Sequence, residues 1–387
     1  MTSLEPATRA RLTWLSERRP AFEELLEELV RQQSPSGDRA RLLAVCELVG
    51  ARLAEMVAPD RLEPMPDLAS PALRMTIGQG SGPRVLLLAH LDTVWEVDTF
   101  SPPYAVRDGI ACGPGVFDMK GGLVVAAAAM AALRERGWTG PEVTLLCTTD
   151  EEVGSGASRA LIESEARRHD AVLVLEPPVA GALKVARKGV GTYHVEVEGR
   201  AAHAGLEPER GVNAVVELAA LVGRVAALGR PELGTTVTPT VLHGGGRVNV
   251  VPAHAELSCD VRFGTMEEAA RVEREMQGLK APDPRARTAV RGGANRPPLE
   301  AAASRALFGI ACGVAANLGL PELQGATVGG GSDGNFTAAL GVPTLDGMGI
   351  VGGNAHADGE WAELASIPPR AALLAGVIEA VSGGALG

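Results

Sequence analysis

The sequence predicts an α/β fold: a doubly wound, mostly parallel sheet, interrupted by a smaller α+β (ferredoxin-like) domain. Three observations carry this prediction. Short, continuous apolar runs at 85–89, 143–147 and 171–175 are bounded by turn residues and separated by helical patterns. Such runs fit strands covered on both faces, as in a parallel sheet built from βαβ units. Between 186 and 295 the pattern changes to apolar–polar alternation, the mark of strands with one solvated face. At 387 residues the chain also exceeds the size, roughly 250–300 residues, at which single cores stop growing.

Taken in order, Leu12, Leu15, Phe22, Leu25, Leu26, Leu29 and Val30 recur at helical spacing over 7–33, with Pro20 starting or kinking a helix. Ser34-Pro35-Ser36-Gly37 breaks the chain, and 39–58 is helical again before Pro59. A strand is expected at 72–78. Gly80-Ser81-Gly82-Pro83 then reads as a turn into the buried strand 85–89, which ends in His90-Leu91-Asp92. Helices at 122–136 and 159–168 alternate with the strands 143–147, ending in Asp150-Glu151-Glu152, and 171–175, ending in Glu176. The inserted segment reads as a strand at 191–199, a helix at 211–228, strands near 235–242 and 255–262, and an acidic helix at 266–279. After Pro297-Pro298 come a helix at 301–318, a short buried strand near 343–346, the loop around His356 and a terminal helix. The domains expected are 1–185, 186–295 and 296–387, the first and last forming one body.

Composition narrows the function. Hydrophobic residues make up 46% and charged residues 21%, as in ordinary globular proteins. A net charge of −11 argues against nucleic acid or an anionic membrane as partner. Five cysteines, an odd count with no C-x-x-C pair, point to reduced thiols rather than a zinc–thiolate site. Met-Thr-Ser-Leu-Glu-Pro lacks the basic-then-apolar pattern of a signal peptide, and no uninterrupted apolar stretch of membrane-spanning length is read. A soluble, cytoplasmic protein is expected.

In parallel sheets ligands gather outside the carboxyl ends of the strands. His90, Asp92, Glu151, Glu152 and Glu176 all fall there. Asp118 sits in Cys112–Gly122, surrounded by glycines at 113, 115, 121 and 122. A carboxylate on so tight a loop can cap the following helix, stay solvated or bind a cation; its company favours the cation. Imidazole with carboxylate is the ligand set of zinc and its neighbours. His90, His356 and at least three carboxylates suffice for two ions, with Asp118 as the natural bridge. Two ions about 3.5–4 Å apart clamp attacking and departing oxygens and lower the pKa of a bridging water toward about 7. Adjacent glutamates on an extended segment point oppositely. That suits Glu152 as a ligand and Glu151 as the base that takes the proton from water and passes it to the leaving amine. Asp92, two residues after His90, can accept the imidazole's other N–H and fix its tautomer.

The motifs Leu88-Ala89-His90-Leu91-Asp92-Thr93-Val94, Gly113–Gly122 with Asp118-Met119-Lys120, and Thr149-Asp150-Glu151-Glu152 carry a resemblance. So do Gly199–Gly205 with His203, Asn249-Val250-Val251-Pro252, Asp260-Val261-Arg262, Gly329–Asp333 and His356. Over roughly 15–380 the chain resembles the co-catalytic zinc amidohydrolases and exopeptidases. These include glutamate carboxypeptidase of the carboxypeptidase G type, acetylornithine deacetylase, succinyl-diaminopimelate desuccinylase and aminoacylase. The resemblance implies His90, Asp118 and Glu176 on one Zn2+ and Asp118, Glu152 and His356 on a second, with Co2+ and Mn2+ also compatible. It implies Glu151 as general base, Asp92 as the partner of His90, and His203 as a donor to the oxyanion, in dimeric members often from the neighbouring subunit. Asn249, Arg262 and Gly331 match positions that bind the substrate, a small molecule or short peptide with a free carboxylate. The segment 186–295 corresponds to a lid and dimerisation domain, so a homodimer is expected. Glu176 rather than Asp, the Asn249…Arg262 spacing and the Gly-Gly-Gly-Ser-Asp turn lean toward the carboxypeptidase G type. The absence of an aromatic residue in Gly352-Gly353-Asn354-Ala355 departs from several relatives. An N-acyl-amino-acid deacylase is the alternative, and a catalytically silent binding or assembly protein the remote one.

Overall fold

A computed structural model describes residues 6–386. The signal-peptide reading therefore falls largely on Met1–Glu5, outside the described residues. The chain divides into two compact units. One takes the chain up to Ala186, Ala301–Thr327 and the chain from Ser332 onward; the other takes Arg187–Glu300 and Val328–Gly331. The inserted unit thus runs to Glu300, past the boundary expected at 295, because Leu299 and Arg187 exchange backbone hydrogen bonds of 2.9 and 3.0 Å.

The first unit is built on a six-stranded sheet. Its spatial order is Arg61–Met65, Ala72–Ile77, Pro141–Thr148, Gly80–His90, Ala171–Val174 and Thr344–Leu345. The last four are mutually parallel, and only Ala72–Ile77 runs antiparallel to its neighbours on both sides, so the sheet is parallel-rich, as expected. Val85, Leu86 and Leu87 are completely buried, which explains why their run shows no alternation. The Gly80–Pro83 turn is corrected: the strand begins at Gly80, paired with Pro141, and the register jumps to Val85↔Val143. The extra residues bulge out of the ladder without ending the strand.

Gly121–Glu135 packs against this sheet with every residue from Gly121 to Leu133 buried, and Ile367–Ser382 lies beside it. Val116–Glu135 and Leu364–Ser382 are long and apolar enough to cross a membrane, although charged residues such as Asp118, Lys120, Arg370 and Glu379 interrupt both. Yet 94% and 72% of their apolar windows are buried inside the protein, where alanine and leucine serve the core. A small antiparallel sheet of Gly352–Gly353, Trp361–Glu363, Ile110–Cys112 and Ala105–Arg107 was not legible in the sequence. It ties the loop around His356 to the one that leads into Asp118.

The second unit is a four-stranded antiparallel sheet in the order Thr236–Gly244, His254–Phe263, Gly189–Glu198, Arg287–Arg296. With helices Ala214–Ala226 and Met266–Gln277 it has the βαββαβ order of a ferredoxin-like domain. Tyr193, Val195 and Val197 alternate inward and meet Leu218, Leu221, Val272 and Met276. The first helix starts at Ala214, not 211, because the Asn213 side chain accepts the N–H groups of Val215 and Val216 at 3.1 and 3.2 Å.

Candidate metal centre

Seven of the predicted site residues come together in the first unit, at the carboxyl ends of its parallel strands and on two adjoining loops. His90 closes the strand Gly80–His90, Glu151 and Glu152 follow Pro141–Thr148, and Glu176 follows Ala171–Val174. Asp118 is presented by its glycine loop. Gly115 has φ of 72°, and a Cβ there would lie 2.5 Å from Thr93 Cγ2. A Cβ on Gly122 would stand 2.0 Å from the Leu175 carbonyl, so only glycine lets the helix start this close to the strand leading to Glu176.

His90 is 2% exposed. Its Nδ1 lies 3.0 Å from the Asp92 carbonyl oxygen and 3.5 Å from Asp92 Oδ1, so Nδ1–H points to Asp92 and leaves the Nε2 lone pair free. That Nε2 faces Asp118 Oδ1 at 3.3 Å and Glu176 Oε1 at 3.5 Å. Across the site His356 Nε2 lies 3.3 Å from Asp118 Oδ2 and 3.1 Å from Glu152 Oε2. One carboxylate therefore spans two histidines, one oxygen to each.

His90 Nε2 and Asp118 Oδ1 are both buried without a hydrogen-bond partner. A lone pair turned toward carboxylate oxygens, away from water, needs a cation or a proton between them. His90, Asp118 and Glu152 offer ligand atoms within 4.8 Å of one another, and so do His90, Glu151 and Glu176. The donor set of two imidazoles and carboxylates fits divalent zinc, cobalt or manganese. Without metal, protons take this place. Burial opposes a charged His90, but Asp118, Asp92 and Glu176 outweigh it and raise its pKa well above the usual value. Asp118 and Glu152 beside His356 lift that imidazole to about 10. Burial raises the Glu152 carboxyl, with His356 opposing.

One premise about the glutamates is corrected. Glu151–Val153 is a 3₁₀ turn, not an extended segment. Asp92 Oδ1 and Oδ2 accept the N–H groups of Glu151 and Glu152, each at 3.2 Å, and Gly154 N closes onto the Glu151 carbonyl at 2.9 Å. The two side chains still enter different clusters, Glu151 with Glu176 and Glu152 with Asp118.

Sequence reasoning missed the residues that hold this set in place. Lys184 Nζ donates to Glu176 Oε2 at 3.3 Å, leaving Oε1 to face His90. Ser36 donates to Asp92 Oδ2 at 2.7 Å. Arg370 is buried and donates to the carbonyls of Gly347 and Gly349, and Gly349 N in turn donates to the Glu176 carbonyl at 2.9 Å. Glu360, buried four residues after His356, accepts from the Asp118 loop. None belongs to a spacing pattern; Glu360 at the end of a Gly-rich loop was the only hint.

The other predicted residues lie in the second unit. His203 is exposed, and its Nδ1 accepts the N–H groups of Gly205 and Leu206 at 3.1 Å each. The neutral ring then carries its proton on Nε2. Asn249 is beside it, its carbonyl accepting Ala204 N at 3.0 Å. Arg262 is already engaged, its Nε and Nη2 forking onto Asp260 at 2.9 Å each. The Gly331 carbonyl accepts from the buried Arg187 at 3.1 Å.

The profile of Peptidase family M20/M25/M40 matches residues 86–380. Carboxypeptidase G2 of Pseudomonas sp. (strain RS-16) is 31% identical over 378 residues, covering 94% of this chain and 90% of that protein. Acetylornithine deacetylase of Photorhabdus laumondii is 29% identical over 266 residues, covering 63% of this chain and 67% of that protein. Among solved structures, aminopeptidase PepT of Bacillus cereus superposes with a TM-score of 0.74 at 21% identity, covering 94% of this chain and 98% of that one.

Proposed function

Because the chain belongs to Peptidase family M20/M25/M40, a family of metal-dependent hydrolases, we propose that it is a two-zinc amidohydrolase of the glutamate carboxypeptidase type. It cleaves the amide bond to an amino acid with a free α-carboxylate. The observation that carries this reading is Asp118 standing between His90 and His356. His90, Asp118 and Glu176 would hold one ion, and Asp118, Glu152 and His356 the other. Bound there, divalent ions supply Lewis acidity and make water a nucleophile near neutral pH. Glu151 takes the proton of the attacking water and delivers it to the leaving amine. Asp92 fixes the His90 tautomer and the amides of both glutamates.

His203 presents Nε2–H and serves as the oxyanion donor, a contribution of about 3–4 kcal/mol for such groups. Arg262, with Asn249 and Gly331, takes the substrate carboxylate, exchanging its Asp260 partner for it. A homodimer through 186–295 is part of the reading. It is supported by exposed apolar residues on the second unit, Val241 and Leu242 on the edge strand Thr236–Gly244 and Val248 and Val250 on the turn after it. A cytoplasmic setting agrees with five free cysteines.

The similarity to carboxypeptidase G2 over nearly both whole chains favours Glu-terminal substrates. An N-acyl-amino-acid deacylase is the second reading, favoured by the match to acetylornithine deacetylase. Amine release by zinc-loaded protein separates them, using α- and γ-glutamyl peptides beside N-acetyl amino acids, with a chelator control. Chelator-sensitive cleavage of the glutamyl peptides is expected. Cleavage of the N-acetyl amino acids alone would select the deacylase, and release from none would overturn both.

A further inference from the structure

We propose that Glu360 is a positioning residue for the metal pair: its carboxylate joins the three chain segments that carry His90, Asp118 and His356. This rests on the two-metal reading above. Glu360 is 1% exposed, four residues beyond His356. Its Oε1 accepts the backbone N–H of Phe117 at 2.8 Å and of Asp118 at 2.9 Å. Its Oε2 accepts Gly115 N at 3.0 Å and Trp95 Nε1 at 2.8 Å. Three donors come from the Asp118 loop, and the fourth from the segment that leaves His90. Its own carbonyl accepts Gly113 N at 3.3 Å, and Trp361 beside it pairs with Cys112.

This geometry asks for an ionised carboxylate. Four N–H groups converge on two oxygens, two to each, and a carboxylate is the side chain that only accepts. Glutamine is nearly the same size but replaces one oxygen with an NH2 group. Either way it is placed, two of the four donors then meet a donor, in a site closed to water. The Asp118 amide and its carboxylate share one residue, so slack at the amide moves the atom that must serve both ions. The four donors to the Glu360 carboxylate are three backbone amides and the Trp95 indole, so it acts through Asp118 and the loop of His356.

The test is a cobalt(II) titration of chelator-treated protein, followed by the visible absorption of the bound ion. Wild type is expected to take up two ions per chain. Glu360→Gln is expected to bind at least one of them about 10–100-fold more weakly, with an altered cobalt spectrum. Glu165→Gln controls for mere loss of a buried acid: Glu165 is 3% exposed and ion-paired to Arg74 and Arg168, in the same unit. It is expected to lower thermal stability and leave cobalt affinity and spectrum unchanged. If Glu360→Gln does not fold, Trp95→Phe decides, since it removes one donor and should weaken uptake about 2–10-fold. Wild-type affinity and spectrum in the deciding variant would overturn the assignment, as would an equal loss in Glu165→Gln. No cobalt uptake by wild type would instead overturn the two-metal reading itself.

Discussion

Asp92 Oδ1 accepts the backbone N–H of Glu151 at 3.2 Å, so the residue whose main-chain carbonyl lies 3.0 Å from His90 Nδ1 also fixes the point from which the Glu151 side chain departs. Its other carboxylate oxygen does the same for Glu152. Ligand, tautomer and base are thereby set by one buried residue, through its carbonyl and its carboxylate. Glu151→Gln keeps the amide and the fold but cannot take a proton. Turnover should fall by about 10²–10⁴-fold, with both metals retained. Metal content by elemental analysis beside kcat checks this; undiminished turnover would remove Glu151 from its role.

Arg262 shows its fork already filled by Asp260, two residues back on the same strand face. If it exchanges that partner for a substrate carboxylate, Arg262→Ala should raise KM about 10–100-fold, from the loss of charged hydrogen bonds, and change kcat little. Steady-state kinetics on one glutamyl substrate measures it. An unchanged KM and kcat/KM would exclude the anchoring role.

Metal uptake should release protons. In the metal-free chain His356 titrates near 10, raised first by Asp118 and then by Glu152, and is protonated at neutral pH. A ligand imidazole must be neutral, so apparent metal affinity should rise as pH increases toward about 10. The charged His356 stabilises the metal-free fold most below its unfolded pKa, and that contribution fades as pH rises through about 10. Calorimetry of zinc binding in buffers of different ionisation enthalpy counts the protons. No release at neutral pH would contradict the assignment of His356.

Glu268 in the second unit gives an acid-stability prediction away from the metals. Hydrogen bonds from Arg271, then from Thr235, hold its carboxyl down near 2 against burial. A depressed folded pKa stabilises the native state fully above the unfolded value and is lost as pH falls toward about 2. Glu268→Gln should therefore lower thermal stability at pH 7 and narrow the gap to wild type at pH 3. Melting curves at the two pH values decide it.

Much of the fold was legible because strands buried on both faces and strands solvated on one leave opposite patterns, as Val85–Ala89 and Gly189–Glu198 do. The alternation of helices and strands then placed His90, Glu151, Glu152 and Glu176 at one end of a sheet. The 3₁₀ turn at Glu151–Val153 was not legible, because it is made by Asp92, about sixty residues away. Glu360, Lys184 and Arg370 escaped for a related reason. Each works on a group brought near only by folding, and two of them chiefly on backbone atoms, which carry no residue-type signature. The start of the Gly80–His90 strand was misread because Gly and Pro mark bulges as well as turns.

The most direct test is to strip the protein with chelator, return zinc stepwise and follow amine release from a glutamyl peptide. No release is expected from the stripped chain, and on zinc return the rate should level off at two ions per chain. Asp118→Ala, with the shared carboxylate gone, should fail to regain that rate. Full hydrolysis by the stripped chain, or by Asp118→Ala, would contradict it.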